Sequence, residues 1–174
     1  FKEYEENYEY SINEIEKIIK TFFDDKGFPL TRSPDDLLNY TKYFLVIKEV
    51  IKDAQKYVPE TLEKMLEKNL ECLKQITTPA NSLPLFNGTI ENDLTNFYDF
   101  LNHFKIKIKK PKINSGNIHV IKNKKDVIYF EAGDPPMKNY SSCYQSGPLS
   151  FEYFFDNQKI ITNCGFGINI SNKA

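Results

Sequence analysis

The residues Ser142-Cys143-Tyr144-Gln145-Ser146-Gly147, with Tyr140 just before them, form a polar loop at the front edge of a predicted β-hairpin. Loops held by a rigid scaffold are where chemistry is commonly presented. Tyr140 and Tyr144 flank this loop and are the candidates for proton transfer, a step that suits tyrosine when nearby positive groups lower its pKa. Each has an ordinary alternative, a packing ring with a wet hydroxyl. Gln145 can donate and accept hydrogen bonds but cannot exchange a proton near neutral pH. Arg32, in "GFPLTRSP", is the single arginine and therefore the one planar fork that can grip a carboxylate with two bonds. Its alternative is a surface or capping role. Asn87, in "LFNGT", is either a polarising amide or half of a plain Asn-Gly turn.

Other chemistries find little support. Asp36 sits in the first turn of a predicted helix, where the dipole favours the ionised, weakly basic form, so it reads as a cap. His103 ends a short helix and His119 lies within a strand; neither has a sequence partner that marks it as catalytic. Cys72, Cys143 and Cys164 form no CxxC pair, and with two histidines there is no zinc-ligand spacing. No metal or other cofactor is expected. A Cys143–Cys164 disulfide is possible, although isolated cysteines are more often buried or free thiols.

The elements that must position these residues follow from periodicity. From Glu3 to Phe23, Tyr8, Ile12, Ile15, Ile19 and Phe22 fall three or four apart, the spacing of one helix face. Gly27, Pro29 and Pro34 stop that helix, and Ser33-Pro34 followed by Asp35 and Asp36 starts another. The second helix carries Leu37, Phe44, Ile47, Ile51, Ala54 and Val58 inward. After Pro59 a third presents Leu62, Met65, Leu66, Leu70, Leu73 and Ile76. "TPANSLPLFNGTIEND" reads as an ordered loop with exposed-looking Leu85 and Phe86, and "LTNFYDFLNHF" as a short helix. "KIKIKKPKINSG" is either an edge strand protected by lysine or a linker. Beyond it the period is two: "NIHVIKNKKDVIYFEAG" is a hairpin turning at Asn123 to Lys125. A second hairpin turns at Asp156 and Asn157, with Leu149, Phe151, Tyr153 and Phe155 alternating with Ser150, Glu152 and Phe154.

A chain of 174 residues, 40% hydrophobic and 27% charged, is long enough to bury a real core, and its formal charge of -1 supplies no basic field for nucleic acid. No uncharged apolar run reaches the roughly 18 residues of a membrane span, and FKEYEENYEY is not a secretory signal. The start inside an amphipathic helix, and about four strands where a sandwich typically has roughly seven, suggest a piece of a longer polypeptide. Its remainder would then be a partner, covering apolar surface that is otherwise exposed.

The order of features resembles the heparinase II/III-like family. "FFDDKGFPLTRSPDDLLNYTKYFLVIKEVI" is similar to its late toroid helices, and "LPLFNGT", "DVIYFEAGDPP" and "GPLSFEYFFDNQKIITNCG" to its loop and first two sandwich hairpins. The resemblance implies a multi-domain α and β chain: residues 1–108 the C-terminal helices of an α/α toroid, 109–116 a linker, and 117–174 the start of an antiparallel β-sandwich. It further implies a cleft for an anionic polysaccharide, cleaved by β-elimination, in a protein exported to the periplasm or cell envelope. In such a reaction a base removes the C5 proton of a uronate, a neighbouring group neutralises its carboxylate, and an acid protonates the departing glycosidic oxygen. Carried onto this sequence, Arg32 pairs with the carboxylate, Asn87 assists it, Tyr140 or Tyr144 transfers the proton and Gln145 positions the sugar. Two departures bear on this. Gln145 stands where the family often has histidine, and Asp36 stands where a tyrosine tends to follow the Ser-Pro element, with Tyr40 one helical turn further on. A relative that binds glycan without cutting it is the alternative.

Overall fold

The computed structural model describes residues 2–109, 116–144, 147 and 149–164. Its element order is α1 (Lys2–Phe22), α2 (Pro34–Asp53), α3 (Glu60–Ile76), α4 (Thr95–His103), β1 (Ile118–Lys122), β2 (Asp126–Glu131), a short 3-10 turn (Lys138–Tyr140), β3 (Phe151–Phe155) and β4 (Gln158–Ile161). The helices form where the apolar spacing requires. α2 begins as its sequence predicts: the Ser33 hydroxyl accepts from the Asp36 N–H at 3.4 Å, Pro34 opens the first turn, and Asp35 and Asp36 meet the dipole. It stops at Asp53, with Ala54 as C-cap, because Gln55 turns left-handed at φ 54°. Ala54 is therefore exposed rather than inward, while Leu37, Leu38, Thr41, Phe44, Leu45 and Ile51 are buried.

All six predicted core positions of α3 are buried, and α3 packs against both α1 and α2. The stretch after α4 forms no strand over its described part. Ile106 and Ile108 instead lean on the helical core, and Lys109 pairs with Glu67 at 2.7 Å. Phe86, expected at the surface, is 1% exposed, and the loop around it is an integral layer of the core.

The four strands make one antiparallel meander in the order β1-β2-β3-β4. Both predicted turns form, the second with Asp156 and Asn157 left-handed at φ 50° and 65°, the pair of positive φ values a type I′ hairpin requires. On β3 the buried face is the one carrying Glu152 and Phe154, while Phe151 and Phe155 are exposed. Counting apolar side chains points the other way. The reason is local: Glu152 Oε1 accepts from Lys159 Nζ at 3.1 Å, Thr162 Oγ1 at 3.2 Å and Asn163 N at 3.2 Å, and Phe154 meets Tyr129 edge-on at 5.8 Å.

Helices and sheet share a continuous buried cluster that includes Leu73, Ile76, Ile118, Tyr129 and Phe154. Two polar bonds stitch it: Gln75 Nε2 donates to the Ile118 carbonyl at 3.1 Å, and the Tyr129 hydroxyl donates to the Thr77 carbonyl at 2.8 Å. Burial beside Glu152 pushes the Tyr129 hydroxyl well above the usual tyrosine range, so it stays a donor. No helix among the described residues is long and apolar enough to cross a membrane. Replacing Tyr129 with Phe keeps the ring against Phe154 but strands the Thr77 carbonyl. A loss of about 1–2 kcal/mol is expected, read as a lower urea midpoint with an unchanged m-value.

Candidate functional site

The loop that carries Arg32 is built before the arginine is reached. Asp24 Oδ1 accepts from the N–H groups of Lys26 and Phe28 at 2.9 and 2.8 Å, closing a side-chain turn. Asn69 Nδ2 then fastens the Gly27 carbonyl at 2.6 Å, so the loop is clamped to α3. Phe23 and Pro29 form a bridge, Leu30 N donates to Phe22 O, and the chain reverses at Arg32 with φ 59°. A left-handed arginine is sterically disfavoured and is held only where its surroundings demand it.

Three segments demand it here. Asn87, itself left-handed at φ 48° and 4% exposed, donates from Nδ2 to the Arg32 carbonyl at 3.1 Å. Its loop is pinned to α2 by Asp35, whose carboxylate accepts from the Ile90 N–H at 2.9 Å and Asn92 Nδ2 at 3.1 Å. Asn117, also left-handed at φ 56°, takes the guanidinium from the sheet side. With its amide oriented to satisfy both groups, its oxygen accepts from Nη2 at 2.9 Å and Nη1 at 3.2 Å. Glu131, at the end of β2, brings Oε1 to 3.7 Å from Nη1, with side-chain exposures of 17% for the arginine and 2% for the glutamate.

Glu131 is the centre of this arrangement. Its Oε1 accepts from the Gly133 N–H at 3.1 Å, and a Cβ at Gly133 would occupy the place the guanidinium takes here. Burial pushes the Glu131 carboxyl above its ordinary value, against the opposing pull of the Gly133 N–H, the Arg32 charge and the Asn87 amide. Tyr144 borders the cluster. Burial and the charges of Glu131 and Asp134 raise its pKa while Arg32 opposes them, so its hydroxyl is held protonated rather than poised as a base. The two loops touch directly: a Cβ at Gly88, φ 85°, would strike Cys143.

The structure thus brings Arg32 and Asn87 to one carboxylate, with Tyr144 near enough to feel its charge. It places Tyr140 elsewhere: its hydroxyl donates to the Thr21 carbonyl at 2.6 Å and its ring meets Phe22 edge-on at 6.1 Å, tying the loop to the end of α1. Gln145 lies outside the described residues. Asp36 lies in the first turn of α2, where its N–H donates to the Ser33 cap at 3.4 Å and its carboxylate accepts the Thr31 hydroxyl at 2.6 Å, and Tyr40 packs among Phe22, Phe23 and Phe44. Cys143 and Cys164 are both free and exposed. Among the described residues no group of three or more histidine, cysteine, aspartate or glutamate side chains is arranged to hold a metal. Glu131, Asn117 and Gly133 were not singled out from sequence. A signal for Glu131 existed: it shares the inward face of β2 with Tyr129, and an inward carboxylate needs a cation.

Comparison with known proteins bears on this geometry. Residues 108–172 match the family model described as Heparinase II/III-like, C-terminal. No curated protein matches the chain by sequence at a meaningful level. Among solved structures, the heparan sulfate lyase HepC from Pedobacter heparinus superposes with a TM-score of 0.70 at 16% identity, covering 86% of this chain and 27% of that one. A heparinase III with methylated lysines gives 0.65 at 15% identity, with 88% and 27% covered, and a further heparinase III gives 0.60 at 16%, with 86% and 29%. The chain has their fold over most of its length and spans about 27% of the length of the first. Helices leading into an antiparallel sheet are the arrangement expected from the toroid and sandwich resemblance.

The cluster makes two stability predictions. Arg32→Met leaves Glu131 buried beside an apolar side chain and should cost on the order of 3 kcal/mol; adding Glu131→Gln should recover much of it, and urea unfolding of both variants checks this. The pH dependence has a defined sign. A raised carboxyl contributes stability that is present below its unfolded value and lost as pH rises through its folded value. The unfolding free energy of the wild type minus that of Glu131→Gln should therefore fall from acid toward neutral pH, a comparison in which the other carboxyls cancel.

Proposed function

We infer that this chain, heparinase II/III-like over residues 108–172, supplies part of the glycan cleft of a polysaccharide lyase that cleaves an anionic, uronate-bearing polymer by β-elimination. The observation that carries the reading is the meeting of Arg32 and Asn87 at the buried Glu131, where the helical layer meets the sheet, with Tyr144 within range of the same charges. β-Elimination needs a positive group beside the uronate carboxylate and an acid for the leaving oxygen. Arg32 has five N–H donors, of which Asn117 takes two, while Glu131 at 3.7 Å lies beyond hydrogen-bond range. The donors that remain, on a partly exposed guanidinium, are those available to a sugar carboxylate. Asn87 serves by holding the arginine's backbone. Tyr144, kept as a phenol, suits the acid step. Gln145 is assigned hydrogen bonds to sugar hydroxyls, and export to the periplasm or cell envelope belongs to the same reading.

A second reading is favoured by Gln145, which cannot transfer the proton that a histidine would: the cleft binds anionic glycan without cutting it. One experiment separates them. The full-length protein is incubated with heparan sulfate, alginate and other uronate polymers while ultraviolet absorbance of the unsaturated product is followed. A rise supports cleavage, and Tyr144→Phe should then lower kcat by roughly 100-fold or more. Glycan binding with no rise on any polymer supports the second reading and overturns the first.

A further inference from the structure

We propose that the hollow between the last turn of α3, the start of α4 and the end of β1 is a second anion-binding subsite, which takes a sulfate or carboxylate group of a glycan between Lys74 and Lys122; the class of ligand rests on the anionic-glycan reading above.

The hollow has a volume of about 500 Å³, within the range of small-ligand sites, and Asp99 is the one carboxylate among its lining residues. The core brings the two lysines to it. Gln75 Nε2 donates to the Ile118 carbonyl at 3.1 Å, which fixes the last turn of α3 on β1. Ile118 is fully buried and Val120 packs on the core, so the period of two brings Lys122, at the strand end, to the same face. Lys74 Nζ lies 5.6 Å from the centroid of the Tyr98 ring, and the Tyr98 hydroxyl is 2.6 Å from Thr77 Oγ1. The wall is rigid because its other polar groups are already engaged: the Thr77 hydroxyl donates to the Leu73 carbonyl at 2.7 Å, Asn81 Nδ2 to Thr95 Oγ1 at 2.9 Å, and the Thr95 hydroxyl to Asp93 at 2.7 Å.

The charge left facing the hollow is that of the lysines. Among the described residues neither makes an ion pair, with Asp99 or with any other carboxylate. Lys159, on β4, shows the contrast: Glu152 meets it at 3.1 Å. The helix dipole accounts for Lys74 at the end of α3, but not for Lys122, which is set against it. Partial desolvation, and then the facing charge of Lys74, push the Lys122 ammonium below its ordinary value. Two like charges turned to one hollow are unfavourable until an anion lies between them. An ammonium is a point charge, so one from the helices and one from the sheet suit a compact group such as a sulfate ester or a carboxylate. Lys122 is four residues along β1 from Ile118, the partner of Glu131, which sets it about 13 Å along the strand from the Arg32 cluster. The subsite is therefore separate from the cleft.

The test follows the two ammonium groups directly. In the full-length protein carrying lysine labelled at Cε, the Lys74 and Lys122 signals, identified by their loss in Lys74→Gln and Lys122→Gln, are observed by NMR. A heparan sulfate tetrasaccharide, an alginate tetrasaccharide, maltotetraose or inorganic sulfate is added in turn. Both signals should move together and saturate with an anionic tetrasaccharide, while the exposed Lys105 stays in place and maltotetraose moves neither. An anion favours the charged form, so the Lys122 titration should rise by roughly half a pH unit or more in the saturated protein. In Lys74→Gln the affinity read at Lys122 should fall roughly fivefold at low ionic strength; if that variant fails to fold, Lys122→Gln read at Lys74 decides. Saturation by either tetrasaccharide supports the proposal, and which of them saturates names the anionic group. Movement with inorganic sulfate alone means an adventitious ion only and overturns it, as does equal movement of Lys105 or none with either tetrasaccharide. The signals are read whether or not the protein cleaves. Saturation without unsaturated product leaves the subsite standing and the lyase reading overturned, and cleavage without saturation does the reverse.

Discussion

A carboxylate on the inward face of a strand has to be met by something. Glu131 ends β2 on the same face as the fully buried Tyr129, and it is met by one N–H from its own strand end, one amide and the chain's single guanidinium. That requirement ties together segments far apart in sequence. The α1–α2 loop reverses at Arg32, the 83–90 loop brings Asn87 under it, and Gly133, two past Glu131, leaves the guanidinium its place. The cluster is where the α1–α2 loop, the 83–90 loop and the end of β2 are held together.

The helices were legible because their signals are redundant. α3 repeats an apolar residue every three or four positions for its whole length, and α2 carries a cap, a proline and two acids at its start, so local preference and burial agree. The hairpins were legible from their turns. The buried face of β3 was not, because two aromatic residues outside and a glutamate inside invert the hydrophobic count; only Lys159, Thr162 and Asn163, folded back from beyond the turn, make the inward Glu152 tolerable. Phe86 failed for a related reason: it lies in a proline- and asparagine-rich loop that composition reads as surface, yet Asp35 and Asn92 draw that loop into the core.

The site shows the same division. Arg32, Asn87 and Tyr144 stood out because rarity, turn chemistry and position before a hairpin are properties of sequence. Their common partner did not, since the pairing of Glu131 with Arg32 spans 99 positions and only the folded chain makes it. Tyr140 and Tyr144 were equivalent as letters flanking one loop. The structure distinguishes them: the Tyr140 hydroxyl is spent on a backbone carbonyl of α1, while Tyr144 lies within range of the charges of Glu131, Asp134 and Arg32.

The two proton transfers of an elimination place opposite demands on their residues. The group that takes the C5 proton must be unprotonated at working pH, which for tyrosine calls for a surplus of nearby positive charge; the group that protonates the leaving oxygen must hold its proton until charge develops there. Around Tyr144 two carboxylates outnumber one guanidinium, and burial adds to their effect. That environment is wrong for a base and right for an acid. A cleft that works by this chemistry therefore needs its base in a different field, and with Gln145 in the place of a histidine that base has to come from another surface of the cleft. On the lyase reading proposed above, the charges around Tyr144 suit it to the leaving group, and the C5 proton would be taken from another wall of the cleft.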